Sequence, residues 1–291
     1  MGRRFPLTTT PGIADAATRW LAGERWAEAR PRRASTVMLV RDGASGPEVF
    51  MLRRVSAMEF APSMMVFPGG GVDERDGEPN LPWAGPSPSD WAVRLGCSPS
   101  DAQMFVAAAV REVFEECGVL LAGPSADGPL ADVTGPEWTD VREALVDRRA
   151  SLDEVLHERA LVLRSDLVVA KAHWLTPVFE PRRYDTWFFA ALMPPAQVAD
   201  GATTEADHAD WFVPSKLLEA YAVGSALMLP PTVVCVEQIA EARCAADVVV
   251  HSDALPLVMP RVVSDPDGAA IEIVEVVDGM VDGVVDEVPP R

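Results

Sequence analysis

The chain has 291 residues, is 48% hydrophobic, and carries a formal net charge of −19 from 25 basic and 44 acidic residues. That size and apolar content build a core in one large or two small domains and exclude a disordered chain. A surface so acidic repels phosphate backbones, which excludes generic nucleic-acid binding. In chain order, residues 35–41 are β-branched and apolar and end at Asp42-Gly43, and residues 48–54 read as the second strand of a hairpin. Residues 64–67 form a further short strand, stopped by Pro68 and followed by the turn Gly69-Gly70-Gly71. Prolines at 82, 86, 88 and 99 mark an irregular stretch with a short helix around Trp91. A strong helix is predicted over 102–117, capped by Ser100 or Asp101 and stopped by Gly118. Helices follow at 137–148 and 152–159, strands at 167–170, 172–175, 184–192 and 211–213, then helices at 214–221 and 232–243. Hairpins segregated from helices point to the α+β class.

Beyond 245 short valine-rich strands alternate with Asp-Gly turns, and residues 264–290 hold eight acidic residues without a Lys or Arg, which reads as a solvated acidic tail. The valine-rich stretch over 248–277 is also suited to pairing between subunits, so a homodimer is an expectation. Cys97, Cys117, Cys235 and Cys244 share no metal-ligand spacing and suit a reducing compartment. With no apolar run of membrane-spanning length, no secretory pattern at the start and no peroxisomal signal at the end, a cytoplasmic protein without a membrane partner is expected.

The chemistry concentrates in Arg111-Glu-Val-Phe-Glu-Glu-Cys-Gly-Val119. On a helix Glu112, Glu115 and Glu116 fall at i, i+3 and i+4, so their carboxylates share one face and repel unless something positive lies among them. Hard divalent cations such as Mg²⁺ take oxygen ligands and reach substrate phosphates with the rest of their shell. Arg111 stands four residues before Glu115, placed to fix its rotamer. Taken alone, the pattern fits a solvated helix face with an Arg–Glu pair better than a metal site.

Together with Phe67-Pro-Gly-Gly-Gly71, these residues resemble the Nudix family, whose signature is Gly, five residues, Glu, seven residues, then Arg-Glu-U-x-Glu-Glu-x-Gly-U with U aliphatic. Gly70 matches the first glycine, and residues 111–119 match the second half without a gap. Two departures stand out. Asp76 occupies the place of the first Glu, and 34 residues separate it from Arg111, an excess of 27 over the usual spacer. The likeness extends to the subfamily that includes an organellar coenzyme A diphosphatase and carries an insert within its Nudix box. It implies a Nudix fold, a mixed β-sheet sandwiched between helices, over residues 34–245 with an insertion at about 77–100. Residues 1–33 and 246–291 are then flanking extensions.

By the same resemblance, one to three Mg²⁺ or Mn²⁺ ions are held by Glu112, Glu115 and Glu116, with the Gly70 carbonyl as a further contact and Arg111 orienting the carboxylates. Glu115, Glu116 and Arg111 form the catalytic set, and water attacks one phosphorus of a pyrophosphate. Asp76 is doubtful as a metal ligand, being one methylene short and beside the insert. Glu205 and Asp207 are candidate general bases, with His208 and Asp210 nearby. Arg54, Arg182 and Arg183 are candidate phosphate grips through their planar guanidinium forks. Trp187, Phe188 and Phe189 suit a core strand better than a base-stacking platform. The implied substrate is a small nucleoside diphosphate linked to another group, with coenzyme A or acyl-coenzyme A favoured. The alternatives are ADP-ribose, NADH or a nucleotide sugar, or a non-catalytic Nudix-fold ligand sensor; retention of all three glutamates argues against the sensor.

Overall fold

The computed structural model describes residues 2–7, 11–55, 61–252, 255–266 and 268–273. In chain order it contains strand β1 (Arg3–Pro6), helix α1 (Pro11–Leu21), strands β2 (Arg32–Gly43), β3 (Gly46–Arg54), β4 (Met65–Val66), β5 (Gly69–Gly71) and β6 (Trp83–Ala84), and helices α2 (Pro88–Leu95) and α3 (Pro99–Cys117). There follow β7 (Ala122–Gly123), α4 (Pro136–Val146), α5 (Leu152–Glu158), β8 (Val162–Arg164), β9 (Val168–Leu175), β10 (Tyr184–Leu192), β11 (Ala206–Phe212) and helices α6 (Pro214–Ala222), α7 (Pro230–Glu241) and α8 (Ala245–Val248). Strands β12 (Leu257–Val258), β13 (Arg261–Asp265) and β14 (Gly268–Ile273) come last.

Two compact units divide the chain, one of residues 32–174 and 184–255, the other drawn from 1–31, 175–183 and 256–291. In the larger unit the expected hairpin of β2 and β3 is the centre of a mixed sheet in the order β11-β3-β2-β10-β9. Strand β10 runs parallel to β2, with Phe189 opposite Val37, while β3 and β5 run antiparallel to it. Val37, Met38, Leu39 and Val40 are all buried, so β2 is covered on both faces. One face, with Val37, Leu39, Phe50, Leu52, Trp187 and Phe189, shares a core with Phe105, Val106, Val110 and Val113 of α3. On the other, Met38 borders a cavity with Ile239 of α7. A mixed sheet between helices is the Nudix architecture. Within it, β6, β7 and β8 form a second small sheet, and Trp91 of α2 is fully buried edge-on against Phe189.

Several boundaries move for identifiable reasons. Helices α3 and α7 begin two or three residues earlier than expected because Pro99 and Pro230 sit in their first turns, where a missing N–H costs nothing. The cap of α3 is accordingly Ser98, whose side chain accepts from the Asp101 N–H, and not Ser100 or Asp101. The predicted strands at 167–170 and 172–175 are one strand, β9. The triple glycine, expected as a turn, is a strand paired with residues 34–36 of β2.

In the smaller unit β14 is the middle strand between β1 and β13. The acidic stretch expected as a solvated tail therefore begins as structure, with Glu272 buried and held by Arg4 and Arg261. The described part of the valine-rich stretch pairs within the chain; residues 274–277, and the rest of the tail, lie outside the described residues.

Candidate active site

Helix α3 buries Val106, Val110, Val113 and Phe114, which turns Arg111, Glu112, Glu115 and Glu116 toward the glycine strand. Gly118, with φ 69°, ends the helix in the left-handed region where glycine carries no steric penalty. Two of the three positions of strand β5 have no room for a side chain. A Cβ on Gly70 would stand 2.6 Å from a Glu112 carboxylate oxygen, and one on Gly69 would stand 2.5 Å from the Ser35 carbonyl. Residues with no strand preference form a strand because glycine at 69 and 70 lets β2 and Glu112 approach so closely.

Arg111 is the hub. Its Nε and Nη2 donate to the two oxygens of Asp76, each at 2.9 Å, and Nη2 also donates to the Gly71 carbonyl at 2.8 Å. Its Nη1 bridges Glu112 at 2.7 Å and Glu115 at 3.2 Å. Asp76, only 2% exposed, is fixed in turn by the Asp73 N–H at 2.8 Å, in a capping box around the 3-10 turn Glu74–Gly77. Its place is thus beside Arg111, as the anchor of the guanidinium. The 34 intervening residues leave this bidentate pair intact.

The three glutamates do not converge on one point. Glu112 and Glu115 both turn to Arg111 Nη1, Glu112 also lying against Gly70, whereas Glu116 accepts from the Gly69 N–H at 2.7 Å. Among the described residues no group of three His, Cys, Asp or Glu side chains stands ready to hold a metal ion. What the geometry supplies is a pair of buried carboxylates, one turn apart, beside a glycine backbone. One guanidinium serves three carboxyl groups here, and Glu116 stands beyond its reach. Burial pushes Glu112 up to about 7 against the pull of Arg111, and burial together with the charge of Glu112 drives Glu116 well above the ordinary carboxylate range. Glu115 is also raised, again chiefly by burial. For Arg111 burial works against the charge, but Asp76, Glu112 and Glu115 outweigh it and hold it firmly protonated. Two desolvated carboxylates short of positive charge fit a hard cation that takes few protein ligands and keeps water and phosphate oxygens for the rest.

The structure sorts the other candidates. Arg54, at the end of β3, lies 3.8 Å from the Glu205 carboxylate, and the charges of both act on Glu116. The Arg54 Nε is buried and has no hydrogen-bond partner among the described residues. Asp207 pairs with Arg53 at 2.6 Å, and adjacent strand residues point to opposite faces, so this pair faces away from Arg54. His208 packs edge-on to Phe212, and Asp210 accepts from the Trp211 N–H. Arg182 and Arg183 belong to the smaller unit. Arg183 is buried there, donating to the Thr176 carbonyl at 2.9 Å and pairing with Glu28. Trp187, Phe188 and Phe189 are core residues; His173 stacks on Trp187 at 4.0 Å and meets Asp185 at 2.5 Å.

Comparison with known proteins agrees with this geometry. A Caenorhabditis elegans protein named provisionally as nudix hydrolase 7 is 28% identical over 185 residues, 64% of this chain and 53% of that protein. The acyl-coenzyme A diphosphatase NUDT19 of Xenopus laevis is 25% identical over 234 residues, 66% of this chain and 59% of its own length. The chain thus spans between half and three fifths of the curated relatives it matches. A NUDIX hydrolase crystal structure from Alicyclobacillus acidocaldarius superposes with a TM-score of 0.61 at 26% identity, covering 78% of this chain and all of that one. The family model for the NUDT19 Nudix domain matches residues 88–239, more than half of the chain and the whole of the box helix. With the glycine strand, the Arg111 hub and the mixed sheet already in view, the match decides the matter: the chain belongs to the NUDT19 Nudix domain family.

Proposed function

We propose that the protein is a pyrophosphohydrolase dependent on Mg²⁺ or Mn²⁺, with the diphosphate of coenzyme A or an acyl-coenzyme A as its substrate and 3′,5′-ADP and a phosphopantetheine as products. The observation that carries the reading is the charge deficit at Glu112 and Glu116, two buried carboxylates that share between them one contact with a cation, Arg111 on Glu112, beside a backbone that only glycine could supply. The name of the Xenopus relative and the matching family model support the choice of substrate.

In this reading Glu112 and Glu116 would hold the cation, with the Gly70 carbonyl as a further contact. A divalent cation bound there would supply charge neutralisation of the diphosphate and a lowered pKa for the attacking water. Arg111, clamped by Asp76 and Gly71, keeps Glu112 and Glu115 in place. Arg54 grips substrate phosphate through its unpartnered edge. Arg183 is already occupied by Thr176 and Glu28 and is assigned no such role. Glu205 takes the water proton; it is preferred to Asp207 because it stands beside Arg54 while Asp207 pairs with Arg53. All four cysteines are free, in keeping with a cytoplasmic setting, and no described helix is long and apolar enough to cross a membrane.

The test is a panel of coenzyme A, ADP-ribose, NADH and UDP-glucose with and without each metal, products identified by mass. Turnover that needs the metal, is fastest on coenzyme A and is lost in Glu116→Gln is the expected result. Equal or faster cleavage of ADP-ribose would overturn the substrate, and tight binding without products under every metal would overturn the enzyme.

A further inference from the structure

The last turn of α3 carries both Glu115 and Glu116, and it is held from outside by a residue that no motif marks. Arg142 lies on α4, one turn beyond Trp138, whose ring packs edge-on to Phe114 of α3 with centroids 5.8 Å apart. From there the Arg142 Nε donates to the Glu115 carbonyl at 2.8 Å, and Nη1 donates to the Asp200 carboxylate at 2.7 Å. Helix carbonyls at a C-terminus lack intrahelical donors and carry the negative end of the helix dipole, so a guanidinium is well matched to that position. Asp200 closes the arrangement, because its own N–H donates to the Cys117 carbonyl at 3.0 Å. Gly118 leaves room for both: a Cβ there would stand 3.1 Å from Arg142 Nη1 and 3.1 Å from an Asp200 oxygen. The Arg142 Nη2 is buried without a hydrogen-bond partner among the described residues, an unfavourable choice for a side chain that only filled space.

Asp200 also opens the loop that leads to Glu205. Its carboxylate accepts from the Ala202 N–H at 2.9 Å, Thr203 turns back to Gly201, and the Glu205 N–H donates to the Thr203 hydroxyl at 3.2 Å. At the far end the Glu205 carbonyl accepts from Val55, next to Arg54. We infer that Arg142 and Asp200 are positioning residues: they fasten the 200–205 loop to the final turn of α3 and so fix the Glu205 carboxylate relative to Glu116. This rests on the reading that Glu205 serves hydrolysis, and it adds to that reading the device that holds the base in register with the metal ligands.

The experiment compares the full-length protein with Asp200→Ala, Asp200→Asn, Arg142→Gln and the Asp200→Ala/Arg142→Gln pair. Asp200 is half exposed, so its removal leaves the core intact even if Arg142→Gln folds poorly. Hydrogen exchange is read first: in Asp200→Ala the amides of 200–206 exchange about tenfold faster while those of 106–116 keep their protection. On the proposed substrate kcat falls about 10- to 30-fold, with KM and Mg²⁺ activation within about twofold, as for loss of a group that supports a catalytic one. Asp200→Asn, which keeps the acceptor oxygen, recovers most of that loss, and the double variant is no worse than the single ones. Unchanged exchange in the loop, or exchange spreading through α3, overturns the clamp whether or not the wild type turns over. A loss that extra Mg²⁺ repairs overturns the link to Glu205 and moves the role to the metal ligands. Absence of wild-type turnover on the whole panel sinks the functional reading alone, since exchange still decides the clamp.

Discussion

Two clusters of arginine and carboxylate, one in each unit, show how charge balance separates holding a fold from holding a ligand. In the smaller unit Glu272 lies between Arg261 and Arg4, and Arg4 also reaches Asp265 at 3.6 Å, so two cations meet two anions. The hydrogen bonds from Arg261 and Arg4 keep Glu272 below the usual carboxylate range. In the larger unit a single guanidinium faces Asp76, Glu112 and Glu115, Glu116 stands beyond it, and burial drives the glutamates the other way. The first cluster is complete as it stands. The second carries more carboxylate than one guanidinium balances, and that excess is what the proposed cation would offset.

The contrast can be broken most directly at Glu116. Glu116→Gln removes the proposed ligand without removing volume, and turnover should fall on the order of a thousandfold, about 4 kcal/mol of transition-state stabilisation; Glu272→Gln should leave turnover alone. Next comes the anchor. Asp76→Ala leaves Arg111 partly uncompensated in a buried position and should cost about 3 kcal/mol in urea unfolding. A smaller effect sharpens the comparison through pH. Glu112, with a folded value of about 7 and an ordinary value of 4.5, binds its proton more tightly when folded, so metal-free stability falls as pH rises across that window. Melting of the metal-free protein should drop by several degrees between about pH 5.5 and pH 8, with Mg²⁺ restoring most of the loss at the upper end. Glu180, in the smaller unit and pushed to about 7 by burial, adds a fall of the same sign that Mg²⁺ leaves untouched. Smallest is Glu272→Gln, which should lower the melting temperature by a few degrees at neutral pH. Its depressed pKa means that its contribution is present above the unfolded value and lost as pH falls through the folded one, so wild type and variant should converge in acid, below the folded value.

How far these features could be read in advance depended on whether the signal was local. Residues 111–119 are contiguous, so helix, face and candidate ligands were all legible, and strand 184–192 was read at its observed limits. The glycine strand was not, because its reason is the closeness of Glu112 and Ser35, which no propensity encodes. Asp76 was weighed as a metal ligand and found to be the partner of Arg111; the pairing spans 35 positions, and the only local hint was the Asp73 to Asp76 spacing of a capping box. The shared face of three glutamates followed from helical periodicity alone, but periodicity says nothing about the single guanidinium nitrogen that bridges Glu112 and Glu115 and leaves Glu116 to the Gly69 N–H. Arg142 and Asp200 had no sequence signal, since their partners lie 27 and 58 positions from Arg142.

The chain between Asp76 and Arg111 has a consequence for anyone who would shorten it. By register it is surplus to the signature, yet it delivers Trp91 into the interior, where the indole is wholly enclosed and meets Phe189 of the central sheet. Trimming the stretch to seven residues would vacate a tryptophan-sized hole above the very strand that backs the box, a loss of about 3–5 kcal/mol by the measure of large-to-small core changes. A minimal version of this protein would need a substitute wedge designed in its place.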